Sequence, residues 1–127
     1  MDSRWKLFGL AGLAAAALAG PAAAHHSGAM FDGDKTLALT GVVKDFRWAN
    51  PHATIEMLVS TPAGAQEDWS FECSTPNILV RKGWSLHTLK PGDKISLEAR
   101  PERDGGKAGL LLNVTTASGV NLKDHDY

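Results

Sequence analysis

The sequence predicts a mostly β domain with one short helix. Polar and apolar residues alternate in several short segments, as they do in half-buried strands. Clusters of Gly, Pro, Asn and Asp separate these segments and mark turns. The chain has 127 residues, of which 43% are hydrophobic and one is Cys. These values indicate one domain that is held together by packing rather than by internal disulfides.

Residues 1–24 have the pattern of a secretory signal. Two basic residues precede an apolar stretch over 7–18, and three alanines supply the small residues before a cleavage site. The apolar stretch is too short for a good membrane span, which needs about 20 residues. We therefore expect cleavage after Ala24, export to the periplasm and no membrane insertion of the mature chain. The predicted organisation is a signal peptide over 1–24, a polar N-terminal lead-in over 25–35, a β-barrel domain over 36–120 and a polar tail over 121–127.

The first predicted strand covers 36–48 and contains a glycine, Gly41. A glycine inside a strand suggests a bulge or a sharp bend. Beyond it, the spacing is expected to place three apolar residues on one face, namely Val42, Phe46 and Trp48.

The second predicted strand follows the turn at Asn50-Pro51 and covers 52–60. Its alternation is strict, with Ala53 and Ile55 on the apolar face and His52 on the opposite one. A third strand covers 68–73. Its apolar face carries Trp69, Phe71 and Cys73, and Cys73 is expected to be a buried, inert thiol.

A short helix is predicted over 76–82, after Ser74 and Thr75. A hydroxyl cap with Pro just inside the helix is a typical start, and Gly83 is a typical end. Turns at 89–93 and 104–106 then bound a fourth strand over 94–100, and a fifth strand covers 108–116.

Three strands, a helix and two strands follow each other in the order found in OB-type barrels. We therefore predict a small five-stranded OB-like antiparallel barrel, with the short helix between strands 3 and 4 closing one end. A bend at Gly41 suits this fold, because the first strand must join both sheets. An open antiparallel sandwich is the alternative.

The candidate ligand-binding residues are Trp48, Asn50, His52 and Trp84. Trp48 and His52 flank the turn before the second strand, where an aromatic body and a polar tip could line a cleft. Trp84, directly after the helix, is also expected as a lid on the end of the barrel. The alternative at the turn is that Asn50 or His52 only satisfies backbone groups.

The candidate metal ligands are His25, His26, His52 and His87. Cleavage after residue 24 would give His25 a free amine, and amine plus imidazole suits Cu(II). A second imidazole from His52, His87 or His125 would complete a histidine brace, whereas the adjacent His26 would be strained in the same plane. The alternative is an exposed tail that binds copper or nickel loosely. Copper is the one cofactor that the sequence suggests.

Conventional catalytic motifs are absent from the sequence. It contains no G-x-S-x-G, H-E-x-x-H or C-x-x-C. The charge is nearly balanced, with 13 Lys and Arg against 14 Asp and Glu. This balance argues against nucleic acid, which favours a strongly positive partner. The expected partners are therefore a small molecule, a sugar or a peptide, or another protein.

Several motifs occur together and in order. They are His25-His26-Ser27, the segment GVVKDFRWANPH over 41–52, the segment RKGW over 81–84 and the segment LKPGD over 89–93. Together they resemble a family of small exported bacterial proteins of unknown function. The resemblance covers nearly all of the chain after the signal. It implies a periplasmic single domain and provides no catalytic residues.

The sequence therefore predicts a periplasmic, non-enzymatic β-barrel binding module. One alternative is a copper-binding protein that uses the His25 amine and imidazole with a second His, and another is a redox enzyme built on that brace. A further alternative is a structural or assembly partner in an envelope complex, bound through an exposed strand edge.

Overall fold

The computed structural model describes residues 28–126, which form six strands, one α-helix and a 3₁₀ turn at Gly28–Met30. The strands and helix are, in chain order, β1 (Leu37–Arg47), β2 (Thr54–Ser60), β3 (Gln66–Glu72), α1 (Pro76–Arg81), β4 (Lys94–Pro101), β5 (Ala108–Thr115) and β6 (Asn121–Lys123). The five predicted strands and the helix are all present. Among these described residues, no helix has the length and hydrophobicity to cross a membrane.

Five strands close into a barrel in the order β1-β2-β3-β5-β4, with β4 returning to β1. Their pairs are antiparallel except for β3 and β5, which run parallel. The predicted five-stranded OB-like barrel with one short helix between β3 and β4 is therefore confirmed, although it is mixed rather than wholly antiparallel because β3 and β5 run parallel. The open sandwich is excluded, because the strands form a closed ring.

The bend in β1 depends on Gly41. The first part of β1 pairs with β4 and the second part pairs with β2. At the change of partner, a Cβ on Gly41 would collide with the Leu58 carbonyl oxygen and lie 2.8 Å from Cε of Met57. Glycine is needed here for close backbone approach between β1 and β2.

The bulge in β1 lies just after this bend. Val43 pairs with Met57 and Asp45 pairs with Glu56, which leaves Lys44 as the extra residue. The extra residue changes the alternation of β1, so that Val43 is only 2% exposed. Val43, rather than the expected Val42, therefore belongs to the buried core.

The core fills the barrel with the alternating apolar residues of its strands. Ile55, Met57 and Phe71 are fully buried, as the predicted alternation requires. Burying a side chain of this size stabilises the fold by about 1.5–3 kcal/mol. The helix contributes the fully buried Leu79 to this core.

The helix α1 begins and ends at the predicted signals. Thr75 is the N-cap residue, although its side chain makes no capping hydrogen bond, and Pro76 lies in the first turn. Gly83 has a φ of 91°, a conformation that favours glycine and ends the helix. The amide of Trp84 then donates to the Leu79 carbonyl at 3.0 Å.

The C-terminal residues pack against the barrel. The sequence places residues 121–127 in a polar tail, but Asn121–Lys123 forms β6 and pairs with the second half of β5. The next residue, Asp124, is fully buried. The hydrogen bonds that hold this segment come from residues distant in the sequence, so local polarity could not indicate them.

Candidate functional site

A groove of about 490 Å³ lies on the outer face of β2 and β3, next to the β1–β2 loop of residues 48–53. We call it the β2–β3 groove. Its lining consists of Arg47, Ala49, Asn50, Pro51, His52, Thr54, Glu56, Ser70 and Glu72.

Strand register brings the polar residues of this groove together. On neighbouring strands Thr54 pairs with Glu72 and Glu56 pairs with Ser70. Arg47 of β1 pairs with Thr54 on its other side. Directly opposed side chains have Cβ atoms about 4.5–5.5 Å apart. Because the alternate residues fill the barrel, these polar side chains must project outward.

Two contacts orient the carboxylates of the groove. The Ser70 hydroxyl donates to Oε1 of Glu56 at 2.8 Å. The imidazole Nε2 of His52 lies 3.5 Å from Oε1 of Glu72. Arg47 is exposed, and its Nη2 lies 3.4 Å from the Thr54 hydroxyl. Within residues 28–126, the Arg47 guanidinium forms no ion pair.

The β1–β2 loop is fixed at its end by backbone hydrogen bonds. The Ala53 amide donates to the Ser74 carbonyl at 3.2 Å, and the Cys73 amide donates to the Ala53 carbonyl at 2.9 Å. These bonds hold the residue that directly follows His52. Earlier in the loop, the Asn50–Pro51 peptide bond is cis and Asn50 is exposed.

Two groups near the groove have shifted pKa values. Lys44 is hydrogen-bonded to Asp68 on the same outer face, and this contact raises the pKa of the Lys44 ammonium. Beneath the end of β3, burial raises the pKa of the Cys73 thiol well above its usual value, and the charges of Asp124 and Glu72 add to the effect. Cys73 is therefore buried, as expected, and its thiol is held in the protonated form.

Two of the four candidate ligand residues, Asn50 and His52, line the groove. Trp48 lies apart from its surface and packs edge-on against Phe46, with ring centroids 5.8 Å apart. Trp84 is 2% exposed, and its indole N–H donates to the Lys123 carbonyl at 2.8 Å. The prediction that Trp84 lines a ligand groove is corrected, because Trp84 is a core residue whose indole also fixes the C-terminal segment.

The candidate metal ligands are not brought together within the described residues. His25 and His26 lie outside them. His52 lies in the groove, whereas His87 is exposed in the segment after α1. Both ring nitrogens of His125 face protein groups, with Nδ1 2.9 Å from the Leu111 carbonyl and Nε2 3.4 Å from the Ser74 hydroxyl. Residues 28–126 contain no group of three or more His, Cys, Asp or Glu side chains that could hold a metal ion.

Sequence reasoning missed most of the polar lining of the groove. Glu56 and Glu72 stand at polar, alternate positions of the second and third predicted strands, where solvated carboxylates are ordinary. The available signal was the turn at 61–64, which sets the register of the β2–β3 hairpin. Aligning the two strands about that turn would have placed Glu56 beside Ser70.

The groove can bind a polar ligand through hydrogen bonds. Its side chains offer a guanidinium, an amide, an imidazole, two hydroxyls and two carboxylates. Its lining contains no Trp, Tyr or Phe. Recognition at this surface would therefore depend on hydrogen bonds and charge rather than on aromatic stacking.

A solved structure with a similar fold is the mitochondrial single-stranded DNA-binding protein of S. cerevisiae. It is 12% identical, and the match covers 72% of this chain and 97% of that chain with a TM-score of 0.48. This likeness concerns the fold and assigns no ligand to this chain.

The sequence-based expectation of no nucleic-acid partner is wrong and is withdrawn. The similar barrel of the S. cerevisiae protein belongs to a single-stranded DNA-binding protein. Net charge is a property of the whole chain, whereas a ligand meets the groups on one face. A near-neutral chain therefore does not exclude this class of ligand.

No curated protein matches this sequence. A family model does match it, over residues 13–113, and its description is that of a family of unknown function (DUF6152). This match covers most of the chain and agrees with the resemblance to a family of unknown function. The chain therefore belongs to this family of unknown function, DUF6152.

Proposed function

We propose that this protein is a non-enzymatic binding module whose ligand occupies the β2–β3 groove. The observation that carries the proposal is the convergence of polar side chains from three strands and one loop on a single concave surface. Asn50 and His52 come from the loop, and Glu56 and Glu72 come from the strands. Such convergence of polar groups is what fixes the orientation of a ligand.

The position of the groove in the fold supports the proposal. In OB-type barrels, ligands bind on the face of strands 2 and 3, between the loops that join strands 1 to 2 and 4 to 5. The β2–β3 groove lies on that face and includes the first of these loops. This support is an analogy between folds, so the ligand itself must be inferred from the side chains.

The side chains favour a small or extended ligand rich in hydroxyl or amide groups, such as a sugar or a peptide. Such a ligand can donate to Glu56 and Glu72 and can accept from Arg47 and Asn50. Donors and acceptors lie within one groove, and both signs of charge are present. A purely apolar ligand would displace water from these groups and offer no hydrogen bonds in return, at a cost of about 1–3 kcal/mol for each group that is buried.

Amide chemical shifts of the ¹⁵N-labelled protein would test this proposal. The titrants would be neutral oligosaccharides, short peptides and single-stranded oligonucleotides. We expect one class to shift the amides of residues 50–56 and 70–72, and we expect Thr54→Val to weaken that binding. The matched control is His87→Ala, because His87 is an exposed histidine outside the groove.

Shifts confined to another surface would contradict the proposal. The outer face of β4 and β5 provides the comparison, since it is also polar and carries Glu98 and Asn113. An absence of shifts across the whole panel would also contradict the proposal. Equal weakening by His87→Ala and Thr54→Val would indicate a general effect on the fold.

Copper binding by the mature N-terminus is a second candidate function. The residue pattern that favours it is His25-His26 directly after the predicted cleavage site. The imidazole of His52, whose side chain is 36% exposed, would then supply the second ligand. Protein that begins at His25 should then bind Cu(II) tightly in competition with a chelator, and one added N-terminal residue should abolish that binding.

We also propose that the chain is exported and that residues 1–24 are removed. The support is the basic start, the apolar stretch and the alanines of the N-terminal sequence. The intact mass of untagged protein from a periplasmic extract would test both points. If such protein binds no ligand of the panel but copurifies with an envelope complex, the structural or assembly role would replace the binding role.

A further inference from the structure

Residues 121–126, here called the C-terminal strap, are held to the barrel by contacts along their whole length. Its first part is strand β6. The Trp84 indole donates to the Lys123 carbonyl at 2.8 Å, and Arg100 donates to the Asp126 carbonyl at 2.8 Å. Between these points, Lys82 donates to the Asp124 carbonyl. The strap is therefore part of the folded domain.

Asp124 is the unusual residue of the strap. Its side chain is fully buried, and its Oδ2 accepts a hydrogen bond from the Ser74 amide at 2.9 Å. Its Oδ1 is buried and makes no hydrogen bond among the described residues. A buried carboxylate with an unpartnered oxygen destabilises a fold, and its presence calls for an explanation. Its contact with Ser74 provides one.

Ser74 connects the strap to the groove. Its amide and hydroxyl face Asp124 and His125 of the strap. Its carbonyl accepts the amide of Ala53, the last residue of the β1–β2 loop, at 3.2 Å. His52, which precedes Ala53, lines the groove. One residue therefore makes contact both with the strap and with the loop that carries part of the candidate site.

We propose that the C-terminal strap sets the position of the β1–β2 loop, with Asp124 as the positioning residue. Docking of the strap holds Ser74, and Ser74 holds the end of the loop at Ala53. The proposal rests on the proposed function only in that Asn50 and His52 of this loop are the residues expected to meet a ligand. The coupling between strap and loop is a property of the protein without a ligand.

Amide hydrogen exchange of the ligand-free protein would test the coupling. We expect Asp124→Ala to raise the exchange rates of the Ser74 and Ala53 amides by about tenfold or more, because a buried hydrogen bond is lost. Asp124→Asn retains a side-chain oxygen for the Ser74 amide and should restore most of the protection. The matched control is Asn121→Ala. Asn121 is on the same strap, but its side chain contacts Asn113 and Thr115 of β5 and makes no contact with Ser74.

Equal acceleration of the Ala53 amide by Asp124→Ala and by Asn121→Ala would overturn the proposal, since that result would reflect general loosening.

If Asp124→Ala does not fold, native-state exchange of the unaltered protein in low urea gives the answer. The amides of Asp124, Ser74 and Ala53 should then share one opening free energy and one urea dependence. Separate openings would overturn the proposal. Neither measurement uses a ligand, so failure of the proposed binding function would leave these results unchanged.

Discussion

The imidazole Nε2 of His52 in the β1–β2 loop lies 3.5 Å from Oε1 of Glu72 at the end of β3. Both side chains are partly exposed, at 36% and 20%. Partly exposed pairs of this kind stabilise proteins by about 0–1 kcal/mol. The contact therefore adds little to the stability of the barrel, and its main effect is to orient an accessible imidazole and a carboxylate within the β2–β3 groove.

Replacing His52 should consequently leave the fold almost unchanged. We expect His52→Gln to alter the free energy of unfolding by less than about 1 kcal/mol, as measured by urea denaturation. The same variant should weaken binding of whichever titrant shifts the groove amides. A loss of several kcal/mol would show instead that His52 has a structural role in the β1–β2 loop.

Gly41 should tolerate no side chain. A Cβ at this position would meet the backbone carbonyl of Leu58 and the end of the Met57 side chain. Backbone cannot move aside as a flexible side chain can, so we expect Gly41→Ala to destabilise the protein by about 1–3 kcal/mol or more. Urea denaturation would measure this loss.

The matched control is Gly33→Ala, because a Cβ on Gly33 has no atom within 4 Å. We expect a change within about 0.5 kcal/mol at that exposed site. Similar losses for the two variants would mean that β1 and β2 do not approach each other closely at Gly41.

The strands and the helix were predictable because each depends on local sequence. Alternation around Ile55 and Phe71 indicates strands wherever one face is buried. Pro76 and Gly83 limit the helix for steric reasons that need no tertiary contact. Burial of Val43 instead of Val42 was not predictable, because the bulge at Lys44 is defined only by pairing with β2.

The candidate site was only partly predictable, because it depends on contacts between distant segments. Asn50 and His52 could be proposed from one turn. Glu72 joins them only through the register of β2 and β3. Asp124 is 50 residues from Ser74, and a polar residue near the end of a chain is ordinarily solvated. From the sequence, Trp84 could belong to a groove or to the core. Its indole hydrogen bond to the Lys123 carbonyl identifies it as a core residue.

Asp93 should make stability depend on pH in the acid range. Two hydrogen bonds from Lys90 lower the pKa of Asp93 below its usual value of 3.8. The bond from the Lys90 side chain has the larger effect, and the bond from the Lys90 backbone amide has the smaller one. The folded state therefore favours the carboxylate more than the unfolded state does. The resulting stability is fully present above the unfolded pKa and is lost as pH falls through the folded pKa.

We expect the difference in Tm between the unaltered protein and Asp93→Asn to shrink as pH falls from about 5 to about 2. Thermal unfolding followed by circular dichroism would measure this. Repeating the comparison in a Lys90→Met background should give a weaker pH dependence, because the side-chain donor is then missing. A Tm difference that is constant over this range would contradict the assigned contact.

Cys73 should react only when the protein opens. It is the single cysteine of the chain and is fully buried. Burial also raises the pKa of its thiol, so both access and thiolate content are low in the folded state. We expect iodoacetamide to label the folded protein orders of magnitude more slowly than the urea-unfolded protein. Labelling of folded protein at the rate of a free thiol would show that the end of β3 is open, and would also contradict the docking of the C-terminal strap over Ser74.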